Sequence, residues 1–142
     1  MRASHLSHTK TFTQKWNGKF FEKTSLSALG LRIQLGHDGG SCPCPVSGPQ
    51  NFIIFDVAGA HTVNVDFCDC NFIQRLDRRV QLLRRGWFPA TLVRPQTAFT
   101  FECLETFHEL TLQGKTNLYD FYHAVLHRTD NANLNKSIVS II

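Results

Sequence analysis

The sequence contains no apolar run that approaches the roughly 18 residues needed to cross a bilayer, so it predicts no transmembrane helix. Residues 1–5 (MRASH) are not followed by the apolar core of a secretory signal peptide, which predicts an intracellular protein. Internal repeats and coiled-coil heptads are also missing. A length of 142 residues predicts one domain, and a hydrophobic share of 42% excludes a wholly disordered chain.

Residue patterns of the common enzyme classes are missing as well. The sequence has no glycine-rich phosphate loop and no serine elbow. Residues 108–112 (HELTL) begin like a zinc-protease helix, but Leu112 stands where the second histidine is needed. The motif with which zinc deaminases activate water is not found either. These absences favour a binding module over an enzyme.

The sequence has only five cysteines, but four of them form two closely spaced pairs. Residues 42–44 (CPC) and 68–70 (CDC) are Cys-x-Cys motifs, separated by a segment with the pattern of strands. Because a reducing compartment disfavours disulfides, such pairs indicate a metal site. Cys103 stands alone on the apolar face of a predicted helix, which is typical of a buried, inert thiol.

A structural zinc ion takes four ligands, commonly thiolates and imidazoles. On spacing alone, the two pairs supply a four-sulfur set at little loop-closure cost, and two histidines are the nearest substitutes. The alternation of the second strand places its cysteines opposite the face that carries His61, which counts against His61. The candidate ligands are Cys42, Cys44, Cys68, Cys70, His37 and His61.

Positive charge is concentrated in one part of the chain. The 15 Lys and Arg residues exceed the 11 Asp and Glu residues, which gives a net charge of +4. Within residues 75–94, Asp77 alone opposes six arginines, Arg75, Arg78, Arg79, Arg84, Arg85 and Arg94. This window predicts a surface for polyanions, and a merely solvated helix face is the alternative interpretation. A weaker cluster comprises Lys10, Lys15, Lys19 and Lys23 against Glu22.

The hydrophobic pattern predicts strands in the first half of the chain. Apolar residues alternate over residues 31–35, and a loop with three Gly and two Pro follows over residues 36–45. Residues 52–57 and 61–67 read as strands that a short turn joins into an antiparallel hairpin. This hairpin ends at the second cysteine pair.

Three helices are expected in the second half. The first is basic and amphipathic, with an apolar stripe at helical spacing on Ile73, Leu76, Val80 and Leu83. Residues 86–90 follow as a loop. A second helix opens at Gln96 or Thr97 and ends near Gly114, and a third begins after Thr116. The predicted fold class is α+β, a small zinc-binding β-hairpin and sheet region followed by about three α-helices.

Seven short runs together resemble one known family. They are WNGKFF at 16–21, LGLRIQLGH at 29–37, CP at 42–43, GAH at 59–61, FCDC at 67–70, WFPAT at 87–91 and YDFYH at 119–123. This ordered series resembles the CxC-type cysteine-cluster domain that accompanies KDZ (Kyakuja-Dileera-Zisupton) transposases, which are found largely in fungal genomes. The resemblance covers residues 5–131.

The resemblance implies a module that precedes a separate transposase core and chelates zinc. Carried over position by position, it implies Cys42, Cys68 and Cys70 as ligands. His37 and His61 also stand in family positions, whereas the family varies at the position of Cys44. The fourth ligand thus stays open among Cys44, His61 and His37.

Two departures from the family shape the expected function. No cysteine-rich segment precedes the WNGKFF run, and the chain stops where the catalytic region would begin. We therefore expect a non-catalytic, nuclear module of a transposon-derived protein. Its expected partners are DNA, contacted by Arg75, Arg78, Arg79, Arg84 and Arg85, and a transposase catalytic region or other protein; no membrane or small-molecule substrate is expected.

The expected organisation has three parts. Residues 1–15 form a polar tail, as the remnant of an upstream zinc finger, residues 16–128 form the cysteine-cluster domain, and residues 129–142 form a C-terminal tail. Two alternative functions accompany this interpretation. One is a protein-interaction module anchored by Trp87 and Phe88, and the other is a transposase fragment without function.

Overall fold

The computed structural model describes residues 12–25, 27–70 and 77–129. This part of the chain combines eight strands and three helices, which confirms the predicted α+β class. The strands are β1 (Phe12–Trp16), β2 (Phe21–Ser25), β3 (Arg32–Gln34), β4 (Pro45–Ser47), β5 (Phe52–Asp56), β6 (Gly59–Cys68), β7 (Trp87–Pro89) and β8 (Thr97–Thr100). The helices are α1 (Arg78–Arg84), α2 (Phe101–Gly114) and α3 (Leu118–Thr129). Within the described ranges, none of them is long and apolar enough to span a bilayer.

The main sheet is built around the hairpin of β5 and β6. The two strands are antiparallel, with Ile54 opposite His61 and Asp56 opposite Gly59. Gly59 has φ +140°, a backbone conformation that favours glycine, where the chain leaves the turn. The predicted hairpin is therefore confirmed, and its second strand carries Cys68 at its end.

Strand β6 also pairs with β3 and β4. Strand β3 runs parallel to it, with Ile33 opposite Val65, and β4 runs antiparallel, with Pro45 opposite Cys68. Beyond β5 the sheet continues through β8 to β7, so that the strand order is β3-β6-β5-β8-β7. The parallel pairing of β3 with β6 brings the carboxyl ends of both strands to the same edge.

The sheet is covered on both faces. Phe52 and Ile54 of β5 belong to a core cluster that includes Leu82 of α1 and Trp87 of β7. The alternate residues of β5, among them Phe55, belong to a second cluster with residues of α2 and α3. A strand buried on both faces is a continuous apolar run, which is the pattern of residues 52–55.

Strands β7 and β8 replace a predicted loop and the predicted first turn of the second helix. Strand β8 pairs parallel with β5, and Ala98, which has no exposed surface, lies opposite Ile54. Helix α2 begins only at Phe101, because the side-chain oxygen of Thr100 accepts a hydrogen bond from the N–H of Cys103 (3.2 Å). Tertiary pairing in the buried sheet thus prevails over helical periodicity in residues 97–100.

Helix α1 buries a different face from the one that periodicity predicts. Val80 and Leu83 of the predicted apolar stripe are each 38% exposed, whereas Gln81 and Leu82 are at most 2% exposed. The stripe prediction was therefore wrong for the described part of the helix. Its other two members lie in residues 71–76, outside the described ranges.

Strands β1 and β2 form a separate two-stranded sheet. Its first strand begins at Phe12, inside the segment predicted as a polar tail. At the other end, Thr129 closes α3 and is buried, and its Oγ1 accepts a hydrogen bond from the N–H of Ala60 (2.5 Å). The remainder of both predicted tails, residues 1–11 and 130–142, lies outside the described residues.

Candidate metal site

Four of the six candidate ligands meet at one edge of the sheet. The ligand atoms of His37, Cys42, Cys68 and Cys70 all lie within 4.8 Å of one another. The Nε2 atom of His37 is 3.2 Å from Cys68 Sγ and 3.4 Å from Cys70 Sγ. The Sγ atoms of Cys42 and Cys70 are 3.4 Å apart. The sulfur atoms of a tetrahedral site with metal–sulfur bonds of about 2.3 Å are about 3.8 Å apart, so the group can hold a metal ion with little adjustment.

Sheet topology explains why ligands from distant segments converge. His37 and Cys42 follow β3, while Cys68 ends β6 and Cys70 comes two residues later. Because β3 and β6 are parallel, both segments leave the sheet at the same edge. The N–H of Leu35, just after β3, donates to the carbonyl of Asp66 (2.9 Å) and continues this pairing to the start of the site.

Two glutamine side chains fix the backbones of the cysteines. Gln34 accepts a hydrogen bond from the N–H of Cys42 through its Oε1 atom (2.9 Å). Gln81 of α1 binds Cys68 twice, because its Oε1 atom accepts from the N–H (2.7 Å) and its Nε2 atom donates to the carbonyl (3.0 Å). These hydrogen bonds link the site directly to α1.

Sequence reasoning missed both glutamines and the close packing at Gly36. Gly36 has φ +93°, and a Cβ atom there would lie 2.5 Å from the Cβ atom of Cys68. A glycine directly before His37 in a metal-ligand loop is a signal that the sequence does carry. Gln81 carries no such signal, because a glutamine among arginines is ordinarily a solvated helix residue.

Cys44 and His61 lie outside the four-residue group. The thiol of Cys44 is exposed, but its backbone serves the site, because its carbonyl accepts from the N–H of Asp69 (3.1 Å). Burial raises the pKa of Cys42 and of Cys70, and a backbone hydrogen bond from Cys44 offsets part of that rise. His61 is buried within β6, where it lies opposite Ile54. The structure thus gathers one sulfur, not two, from the first Cys-x-Cys pair.

The three clustered thiols differ in their acidity. Burial, with a hydrogen bond from Cys70, raises the pKa of Cys42 to about 11, and burial also raises the pKa of Cys70. The pKa of Cys68 is lowered, chiefly because the N–H of Cys70 points at its sulfur (3.4 Å). The protein's own groups therefore favour ionisation at one sulfur, and a cation would compensate the charge of the other two.

Beside the site, Asp66 of β6 is paired with Arg32 of β3. The carboxylate is buried and accepts hydrogen bonds from two nitrogen atoms of the guanidinium, including Nε at 2.9 Å. This contact lowers the pKa of Asp66, because the hydrogen-bonded arginine stabilises the charged form. The pair bridges the two parallel strands directly before they deliver the ligands.

The described arginines of α1 are partly engaged within the molecule. Arg79 is paired with Asp77, the N-cap of the helix. Arg78 lies over the ring of Phe67, with 5.1 Å between its Cζ atom and the ring centroid, and Arg85 lies 5.9 Å from the centroid of Trp87. Arg84 is exposed in the last turn. Arg75 lies outside the described residues.

Two further sequence expectations concern single side chains. Trp87, proposed as half of an aromatic anchor, is only 9% exposed and belongs to the core, while Phe88 is 48% exposed. Cys103 is buried beside Phe121 and Val125, and burial raises its pKa to about 11. The burial predicted for the Cys103 thiol is confirmed.

Comparison with known proteins gives one family. Searches of curated proteins and of solved structures returned no match. The family model of the CxC2-like cysteine cluster associated with KDZ transposases matches residues 26–133. That range contains all four clustered ligands and the three helices. The separate β1–β2 hairpin lies before it. The chain therefore belongs to the family of CxC2-like cysteine clusters associated with KDZ transposases.

Proposed function

We propose that the chain is a non-catalytic zinc-binding module in which His37, Cys42, Cys68 and Cys70 hold one ion. The observation that carries the proposal is the convergence of these four donor atoms within 4.8 Å. Three thiolates and one imidazole form a common ligand set of structural zinc sites. Four protein ligands complete a tetrahedron and leave no position for a reactive water, so the role of zinc is structural.

Zinc in this position connects three parts of the fold. It ties the loop after β3 to the end of β6, and the hydrogen bonds of Gln81 to Cys68 extend the connection to α1. Metal binding is then coupled to the order of this edge of the sheet. The placement of the arginine-bearing helix α1 then depends on the metal through Gln81 and Cys68.

The proposed role of α1 is contact with DNA in the nucleus, as part of a transposon-derived protein. Arg78 and Arg84 are exposed and have no acidic partner among the described ion pairs, which favours them over Arg79. Such contacts position a protein on phosphates and do not read bases. Alanine at Arg84 should weaken duplex binding and make it less dependent on salt, whereas loss of Arg79 should have the smaller effect.

Metal analysis of purified protein tests the zinc proposal. We expect close to one zinc per chain in the wild type and its loss in Cys42→Ser, Cys68→Ser and Cys70→Ser. Cys44→Ser is the matched control, because it changes the same atom in the same motif outside the four-residue group. Stoichiometry near one that survives Cys68→Ser, or an equal loss in Cys44→Ser, would contradict the assignment.

A further inference from the structure

The tip of the β1–β2 hairpin displays three aromatic rings to solvent. Trp16, Phe20 and Phe21 are 55%, 61% and 63% exposed. Trp16 and Phe21 face each other across the end of the hairpin, with ring centroids 5.0 Å apart and planes tilted by 57°. Single exposed apolar residues are common on proteins, but three exposed rings within six residues at one hairpin end are unusual and of the kind that marks an interaction site.

The turn that carries these rings is held in one conformation. The Oδ1 atom of Asn17 accepts hydrogen bonds from the N–H groups of Lys19 and Phe20, both at 3.0 Å. The N–H of Asn17 donates to the carbonyl of Phe20 (3.2 Å), and Gly18 has φ +97°. A turn closed by its own asparagine presents the rings at low entropic cost, because little order has to be gained on binding.

Positive charge accompanies the rings. Lys15 and Lys19 are both exposed, one on each side of Trp16 in the chain. Glu22 lies opposite Lys15 across the two strands and partly offsets it, whereas Lys19 stands in the turn. Flat apolar faces next to ammonium groups complement a ligand that combines π-surfaces with negative charge, and unpaired nucleotides are such a ligand.

We propose that the tip of the β1–β2 hairpin is a stacking site for single-stranded nucleic acid. One base stacks on Trp16 and another on Phe20, while Lys19 contacts a neighbouring phosphate. Bases inside a duplex have no free faces, so the tip selects unpaired nucleotides. This surface goes beyond the zinc site and the arginines of α1, and it does not depend on either.

The position of Lys19 argues against a lipid bilayer as the occupant. Lys19 and the polar side chain of Asn17 stand in the turn itself, between Trp16 and Phe21. Insertion of the rings into the apolar phase would draw the polar turn with Asn17 out of water, and Lys19 would have to extend back to the interface. A phosphate backbone instead pairs with that charge.

Binding to fluorescein-labelled (dT)12 tests the proposal with the full chain. We expect Trp16→Ala to lower the affinity about 5- to 150-fold, since stacking contributes about 1–3 kcal/mol per base. Phe20→Ala is the second variant, because it leaves the Trp16–Phe21 ring pair in place. Trp16→Phe should retain most of the affinity. Tyr119→Ala is the matched control, because Tyr119 is 68% exposed on α3, outside the hairpin.

Further readouts separate the alternatives. Titration with (dT)12 should quench the fluorescence of exposed Trp16, and Lys19→Ala should reduce the slope of log affinity against log salt by about 0.7. Equal affinity for (dT)12 in wild type, Trp16→Ala and Phe20→Ala would overturn the proposal. It would also be overturned if these two substitutions weakened binding to anionic vesicles, or to a duplex of equal length, more than they weaken binding to (dT)12. Zinc content, measured on the same samples, reports separately on the metal site.

Discussion

The two ends of β6 are held by different kinds of interaction. At its start, Gly59 and Ala60 pack against Thr129 at the end of α3, next to a cluster of buried aromatic and aliphatic side chains. At its end, Cys68 is surrounded by two thiols, an imidazole and the amide of Gln81. One strand therefore joins an apolar core to a polar cluster of metal-ligating groups.

The difference lies in how each end responds to the loss of one group. Apolar burial is non-directional and spread over many contacts, so it determines global stability. The polar end depends on a few directional contacts, each of which sets the position of a ligand atom. Changes at the start of β6 should therefore lower the free energy of unfolding, and changes at its end should lower metal affinity. Four predictions, from the largest expected effect to the smallest, test this division.

Replacement of Phe55 by alanine should have the largest effect. Phe55 is 1% exposed and contacts the rings of Phe99 (5.1 Å between centroids) and Tyr122 (5.5 Å). Removing its ring leaves a cavity and should lower the free energy of unfolding by about 3–5 kcal/mol, measured by denaturant titration. Phe88→Ala, at a half-exposed aromatic residue, should cost far less. Similar losses in the two variants would show that the core does not dominate stability.

Replacement of Gly36 by alanine should act on the metal site. The added Cβ atom would lie 2.5 Å from the Cβ atom of Cys68, so the loop or the cysteine must move. We expect metal affinity to fall about 10–100-fold in competition with a chelator. Gly39→Ala is the control, because Gly39 has the same φ of +93° but open space around its Cβ position. If both variants lose affinity equally, backbone strain and not crowding is the cause.

Replacement of Gln81 by leucine should separate α1 from the site. It removes both hydrogen bonds to Cys68 and leaves a partly buried N–H and carbonyl without these partners. We expect about a tenfold loss of metal affinity and a loss of about 1–2 kcal/mol in unfolding free energy. Gln96→Leu, at an exposed glutamine, should change neither quantity. Unchanged metal affinity in Gln81→Leu would show that α1 does not position the ligand.

Replacement of Thr129 by valine should have the smallest effect, at the opposite end of β6. The nearly isosteric change removes the Oγ1 atom that accepts from the N–H of Ala60 and donates to the carbonyl of Val125 (3.2 Å). Thermal or denaturant unfolding should show a loss of about 1 kcal/mol. Metal affinity should be unchanged. A loss of metal affinity comparable to that of Gln81→Leu would contradict the division between the two ends.

Much of the fold is readable from local patterns. The apolar run at residues 52–57, the alternation at residues 61–67 and the glycine between them predict the β5–β6 hairpin, which the structure confirms. Errors occur where a residue's partner is distant in sequence. Residues 97–100 join the sheet because Ala98 fits beside Ile54, and residues 87–89 pair with them in turn. No pattern within residues 87–89 or 97–100 predicts these pairings, and the spacing of the apolar residues from Phe99 onward favours a helix instead.

The candidate site shows the same limit. Two short cysteine pairs and a nearby histidine are enough to indicate a metal site, because closely spaced cysteines in a chain without a disulfide pattern are typical of metal ligands. Sequence spacing alone does not decide whether Cys44 or His37 lies beside Cys42, Cys68 and Cys70. The choice follows from β4, which begins at Pro45 and runs along the end of β6, leaving the thiol of Cys44 exposed.

Residue chemistry, therefore, is sufficient to indicate an α+β fold, an apolar hairpin and a thiol-rich site. Only the folded chain selects the four clustered donors, turns α1 so that Gln81 is buried and places its arginines. The physical reason is that donor types and hydrophobic periods are properties of short segments, whereas ligand distances depend on strand pairing. The parallel pairing of β3 with β6 is formed between segments about thirty residues apart, and it brings His37 to Cys68.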